Sequence, residues 1–366
     1  MRRLLLALFV TFALLAPNSA DAADKRKVVI DDDGFSMMHV MALNAPDVEV
    51  LGITSVSGDL WAHRAAAQAL RGLELLGRSD VRVARGATFP LINSEALTDR
   101  WETLFGKLTW RGVWMRHWVE PTLQPAPAYR GPFDPVTDLP YGNPTTSPIA
   151  EDAAHFLIRM VHLYPGEVTI IACGPMTNLA LAQKLDPEFA HLAKALVFMG
   201  GSLNPHRVLD NRSAADFARE FANSPRREFN FRFDPEAASI VLRSPWRSVT
   251  MVPVDPSTAT QMSPELIARL EAAAPPAFKP WVHQLPVNWP LWDEIASAVW
   301  LDSSLVTEHQ RLYVDVSAQF GPGYGDTLSW SEHYQPGLGE TSADVVMRVN
   351  PERLYDLMVR SLSARH

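Results

Sequence analysis

The chain has 366 residues, 47% hydrophobic and 20% charged, with a formal net charge of -8. That balance leaves no basic face to hold nucleic acid or anionic lipid. A single cysteine, Cys173, excludes an internal disulfide and argues against a thiolate metal site.

Residues 1–22 read as an address. Arg2 and Arg3 precede an apolar run from Leu4 to Leu15, and Ala20-Asp21-Ala22 supplies a small-x-small cleavage pattern. The run is shorter than the roughly 20 residues that span a bilayer. A signal peptide is therefore expected, with an exported mature protein, periplasmic or secreted, that keeps no membrane association after cleavage. Residues 23–366 are long enough for two domains and also within reach of one large α/β domain.

The stretch Lys27 to Asp59 is the one around which the rest of the chain is organised. Val28-Val29-Ile30 forms a β-branched strand that ends in three consecutive carboxylates, Asp31, Asp32 and Asp33. Adjacent acids at the end of a buried strand repel one another unless a cation or bound hydroxyls offset the charge. A hard divalent ion suits them, since Ca²⁺ and Mg²⁺ take oxygen ligands. An acidic turn or helix cap is the alternative reading of the same three residues.

A helix is expected over 35–44, a buried strand over 48–56, a helix over 61–77 and a short strand over 81–84. Such strand-helix alternation implies an α/β fold with a mostly parallel central sheet flanked by helices. Ligands in such sheets bind beyond the carboxyl ends of the strands, where Asp31 to Asp33 and Ser57-Gly58-Asp59 both fall. From about 89 to 149 the pattern dissolves into an insertion rich in proline and tryptophan, including Trp101, Trp110, Trp114 and Trp118. It is read as a lid, binding loop or interface, or as a packed surface excursion. Order returns with a helix over 149–164, the strand 168–172, a turn at Cys173 to Asn178 leading into a helix, a helix over 187–195 and the strand 195–199. A helix over 235–242, the strand 248–254 with Asp255 at its end, and a helix over 264–273 come next. A helix from Pro290-Leu291-Trp292-Asp293-Glu294 to Trp300, the strand 312–316 and a final helix over 351–363 close the chain. No G-x-G-x-x-G follows the first strand, which disfavours a dinucleotide-binding dehydrogenase.

Eight pieces, in order and at consistent spacing, resemble the inosine-uridine-preferring nucleoside hydrolase family. They are the strand with its terminal acids, PDVEVLGITSVSGD, ELLGRSDVRVARGA, PGEVTIIACGPMTNLALAQ, VFMGGSL, EFNFRFDPEAASIVL, MVPVD and LWDEIASAVWLD. The resemblance implies a single α/β domain with a Ca²⁺-dependent pocket that cleaves the N-glycosidic bond of ribonucleosides with water. Asp31 and Asp33 match the first D-x-D of the family's D-x-D-P-G-x-D-D opening. The second aspartate pair is replaced by Gly34 to Met38, and Asp32 is the candidate to supply the missing carboxylate. By the same resemblance Asp31, Asp32, Asp33, Asp293 and the Cys173 carbonyl are expected to hold the metal. Asp59, Glu228 and Asn230 are expected to bind the ribose. Asp33 is the expected general base, with Asp31 second. Trp292 stands where many members carry a histidine, and an indole is no acid near neutral pH, so it and one of the insertion tryptophans are expected to stack on the base instead. The expected partner is a small nucleoside or riboside, with room for a homo-oligomer. Two other functions stay open: a non-catalytic periplasmic binder of nucleosides or sugars, and a hydrolase of a different riboside.

Overall fold

The computed structural model describes residues 25–108, 110–115, 129, 131–203 and 226–363. Residues 1–22, expected to be a signal peptide, and Trp118, Pro121, Pro125 and Pro127 of the insertion lie outside them.

The first strand, β1 (Arg26–Asp32), runs into its acids with every residue from Val28 onward buried. It lies inside a nine-stranded sheet of order β3-β2-β1-β4-β5-β6-β9-β7-β8. Here β2 is Val48–Ser55, β3 Arg82–Arg85, β4 Val168–Ala172, β5 Ala195–Met199, β6 Val249–Val252, β7 Val306–Val316, β8 Thr327–Trp330 and β9 Thr341–Val349. Seven strands, from β3 through β9 in that order, pair in parallel. The last two, β7 and β8, add antiparallel pairs at one edge. The expected mostly parallel sheet is therefore correct, while the chain's last quarter departs from it. β7 starts six residues before the expected strand at 312, and β8 and β9 were not expected at all. β9 alternates polar and apolar residues less cleanly than an exposed strand because it is inserted between β6 and β7 and buried on both faces.

Strand alternation sends successive β1 side chains to opposite layers. Val28 and Ile30 pack with α1 (Met37–Asn44), α2 (Ala62–Leu75), α9 (Pro264–Ala273), α11 (Asp293–Leu301) and α12 (Pro351–Ser363). Val29 packs instead with α4 (Ala153–Leu163), α5 (Thr177–Leu185) and α8 (Pro235–Leu242). Those two layers fix where the three acids go. The remaining helices are short, except α3 (Glu95–Phe105), which lies inside the insertion where no order was expected; Ser94 caps it by accepting from Leu97 N–H. The helix expected at 187–195 shrinks to α6 (Phe189–Leu192), and α7 (Phe229–Phe233) and α10 (Lys279–Val282) are single turns. No helix among the described residues is long and apolar enough to cross a membrane.

Candidate active site

The loops at the carboxyl ends of β1, β2, β4, β5 and β6 surround a cleft of about 560 Å³. Four acids from four distant segments line it: Asp33, Asp59, Glu228 and Asp293. Each is held by identifiable local structure. Asp33 is the first residue past β1, and its Oδ2 accepts the Asp59 N–H at 2.6 Å. A Cβ on Gly58 would lie 2.0 Å from that oxygen, so only glycine lets the β2–α2 loop come so close. Asp59 in turn accepts the indole N–H of Trp110 through Oδ1. Glu228 caps α7, with Oε1 accepting from Asn230 N–H at 2.7 Å and Oε2 from Gly201 and Phe231 N–H at 2.9 and 3.1 Å. The Asn230 amide donates to the carbonyls of Cys173 and Met199 at 2.8 and 3.2 Å, tying β4 to β5 at the cleft floor. Asp293 opens α11, where the exposed N–H groups favour negative charge.

Burial is the first cause pushing these carboxyls upward, and for Asp33 and Asp293 repulsion by neighbouring acids is the second. Asp33 is held well above the usual carboxylate range by burial and then by Asp59 and Asp32. Asp293 is likewise raised, by burial and then by Asp32, Glu294, Asp33 and Asp59. Burial lifts Asp59 to about 6 against its Trp110 hydrogen bond, and Glu228 to about 7 against its three backbone donors. The charges acting most strongly on Asp33 and Asp293 are thus other acids. Such a cluster holds protons near neutrality or takes a cation.

Seven residues named from the sequence meet at this cleft: Asp33, Asp59, Cys173, Glu228, Asn230, Trp292 and Asp293. Asp31 does not line it, so its position departs from the one expected of a metal ligand and second base. It shares its face with Val29, and there its Oδ2 accepts from the Thr54 hydroxyl at 2.5 Å and the Asn178 amide at 2.7 Å. Burial raises it to about 6 against those two bonds. Asp33 escapes the same face because β1 has ended. Asp32 also stays out of the cleft wall; it faces the opposite layer, with Oδ2 3.8 Å from His39 Nε2. Burial first, then Asp31, Glu294 and Asp59, raise Asp32 to about 7. His39 Nδ1 accepts the Ser36 N–H, so Nε2 carries the proton and points toward Asp32. Burial holds His39 near 3, hence neutral. The Cys173 thiol is pushed well up by burial and then by Asp293, leaving its carbonyl as the only chemistry it offers.

The donor set suits a hard divalent cation. It consists of oxygens, and Asp32 Oδ1 is buried without a hydrogen-bond partner. Among the described residues no three His, Cys, Asp or Glu side chains already close into a metal shell.

Sequence reasoning missed most of the apolar wall. Trp110, Trp289, Phe229, Met199 and Val254 complete the cleft with Trp292. Trp289 stands three residues before Trp292 in W-P-L-W, a spacing that could have flagged a second ring on the same loop. Trp110 comes from the insertion, one of whose tryptophans was expected beside the base, and it gives the cleft part of its wall.

The sequence profile of the family described as inosine-uridine preferring nucleoside hydrolase matches residues 28–356. The chain belongs to that family. Its chemistry is that of a hydrolase acting on the N-glycosyl bond of ribonucleosides. It is 26% identical to an uncharacterized protein of Schizosaccharomyces pombe over 97% of this chain and 89% of the relative. It is 27% identical to a pyrimidine-specific ribonucleoside hydrolase of Shewanella oneidensis, covering 91% of this chain and 93% of that protein. A probable uridine nucleosidase of Arabidopsis thaliana is 32% identical over 60% of this chain and 56% of its own length. Among solved structures, an inosine-guanosine nucleoside hydrolase superposes with a TM-score of 0.69 at 20% identity, covering 93% of this chain and 100% of that one. A plant nucleoside hydrolase gives 0.65 at 22%, covering 93% and 99%. Those two likenesses speak for the fold.

Proposed function

We propose that this cleft hydrolyses ribonucleosides with Asp33 as general base and with one divalent cation, of the Ca²⁺ type, held by Asp33, Asp293 and the Cys173 carbonyl. The observation that carries the reading is the meeting of Asp33, Asp59, Glu228 and Asp293 with Asn230 in one aromatic-walled cleft. Such an ion, when bound, orients ribose hydroxyls and lowers the pKa of water. Every other part belongs to the chain. Asp33 takes the proton of the attacking water. Glu228, Asp59 and Asn230 fix the sugar so that C1′ faces that water, and such positioning contributes on the order of 7 kcal/mol or more in favourable cases. The developing oxocarbenium charge is stabilised by the four carboxylates around it. Asp32, with its unpartnered oxygen beside the cluster, is the candidate to supply the negative charge that Met37 and Met38 do not.

The apolar leader at residues 1–22 supports export, and with it a role in using extracellular nucleosides. A non-catalytic nucleoside binder is the second reading, favoured by Met37 and Met38, which are fully buried core residues where the family's second aspartate pair is expected. A reducing-sugar assay on purified protein with uridine, cytidine, inosine and adenosine in Ca²⁺ decides between them. Hydrolysis is expected, and Asp33→Asn should lower kcat about a hundred- to ten-thousandfold. A nucleoside that raises the melting temperature without releasing ribose supports the binder instead.

A further inference from the structure

Residues 110–113 of the insertion form a strap seated on the β2–α2 loop. The Trp110 indole N–H donates to Asp59 Oδ1, and the Val113 N–H donates to the Gly58 carbonyl at 2.9 Å. Between them Gly112 takes a φ of 55°, and a Cβ there would overlap the Gly58 carbonyl oxygen and the Phe229 ring. The strap is fastened on both sides of Trp110. Leu108 N–H donates to Glu102 Oε1 at 2.9 Å, and the fully buried Arg111 donates to Glu102 Oε2 at 3.2 Å and to Asp99 Oδ1 at 2.8 Å. Glu102 and Asp99 both belong to α3. Loosening a buried pair such as Arg111–Glu102 would leave a charge uncompensated, so the pair resists displacement. Farther along, Trp114 stacks on Phe233 of α7 with centroids 4.7 Å apart. A backbone pinned in this way aims the Trp110 indole at Asp59.

Asp59 is thereby held twice, its N–H on Asp33 Oδ2 at 2.6 Å and its carboxyl under the indole N–H. A donor fixed on one carboxylate oxygen sets the direction of the other, and an acid already oriented loses less freedom when a sugar hydroxyl arrives. The indole N–H is a donor only, so it orients Asp59 without competing with it for the hydroxyl proton.

We infer that Trp110 is a positioning residue for Asp59, and that through it the strap governs recognition of one ribose hydroxyl. The inference rests on the hydrolase reading above and adds a determinant of sugar specificity. Trp110→Phe keeps a ring in the cleft and removes the donor, so it separates this role from packing.

The test compares the full chain with Trp110→Phe in Ca²⁺, both checked for folding by circular dichroism. It reads kcat and KM for uridine, and Ki for 2′-, 3′- and 5′-deoxyuridine as competitors. In Trp110→Phe the uridine KM should rise about tenfold with kcat nearly unchanged, the scale of a hydrogen bond to a charged group. The Ki of the deoxyuridine that lacks the Asp59 partner should stay within about twofold, while the other two weaken with uridine. In an Asp59→Ala background the same change should alter KM by less than about twofold. Gly112→Ala unseats the strap and keeps the indole; it should reproduce the pattern, and it decides the matter if Trp110→Phe does not fold. An unchanged KM, a loss confined to kcat, equal weakening of all three competitors, or losses that multiply in the double mutant overturn the positioning role and leave the hydrolase reading intact. If the wild type cleaves no nucleoside, the hydrolase reading falls, and the same ratios read as Kd by calorimetry decide the role of Trp110; binding of none of the four compounds overturns both.

Discussion

Three consecutive aspartates have three different fates, and the difference of one residue decides each. Asp31 still belongs to β1, and its Oδ2 is engaged by Thr54 and Asn178. Asp32 turns to the opposite layer, and Asp33, past the strand, reaches the cleft. Asp31→Asn should therefore cost stability, about 1–3 kcal/mol for disturbing a buried hydrogen-bonded acceptor, while kcat falls far less than in Asp33→Asn. Urea unfolding and ribose release on the same two proteins check this; equal losses of turnover would place Asp31 in the chemistry after all. The acids themselves were legible from residue types alone. Their directions were not, because the end of β1 is set by its pairing with β2 and β4, which no local pattern reports.

The loop between β2 and α2 is the clearest case of cleft geometry made by backbone. Gly58 lets the Asp59 N–H sit on Asp33 Oδ2. Gly58→Ala is expected to lower kcat at least about tenfold without removing any functional group, since a base displaced by an ångström loses its aim. Unchanged turnover in a folded Gly58→Ala protein would show that this contact does not position Asp33. At the start of α1, Ser36 accepts from Met38 N–H while its own N–H donates to His39. Ser36→Ala should cost about 1 kcal/mol in denaturant unfolding. Helices with caps and strands bounded by turns, such as β4, β5, α8, α9 and α12, could be read from the sequence because their signals are local. The hairpin of β7 and β8 and the inserted β9 could not, since a strand that pairs out of order carries no mark of its neighbours. Trp289 escaped for a similar reason, and Trp110 could be named only as one of several insertion tryptophans: the two lie about 180 residues apart and meet only through the fold.

For the molecule as a whole, the sheet gathers charge at one edge that folding alone does not balance. Asp32, Asp59, Glu228 and Glu294 sit at about 6 to 7, above the unfolded values of 3.8 to 4.5. Raised acids bind more protons in the native state, so their contribution to stability declines as pH rises from about 4 to 7. His39, held near 3, works in the opposite sense between about 3 and 6.5. The difference between Ca²⁺ and chelator isolates the acids, because a cation competes with their protons. The gain in melting temperature from Ca²⁺ should grow between pH 5 and 7.5, and a gain independent of pH would separate the ion from this cluster.

Asp33 and Asp293, 260 positions apart, are the pair whose joint action the proposed mechanism requires. A double-mutant cycle in kcat/KM for uridine hydrolysis, with Asp33→Asn, Asp293→Asn and both together, measures that directly. Each single change is expected to cost about a hundredfold or more, and the pair little more than the worse of the two, as for groups that share one task. Full turnover in Asp293→Asn, or losses that simply multiply, would contradict it.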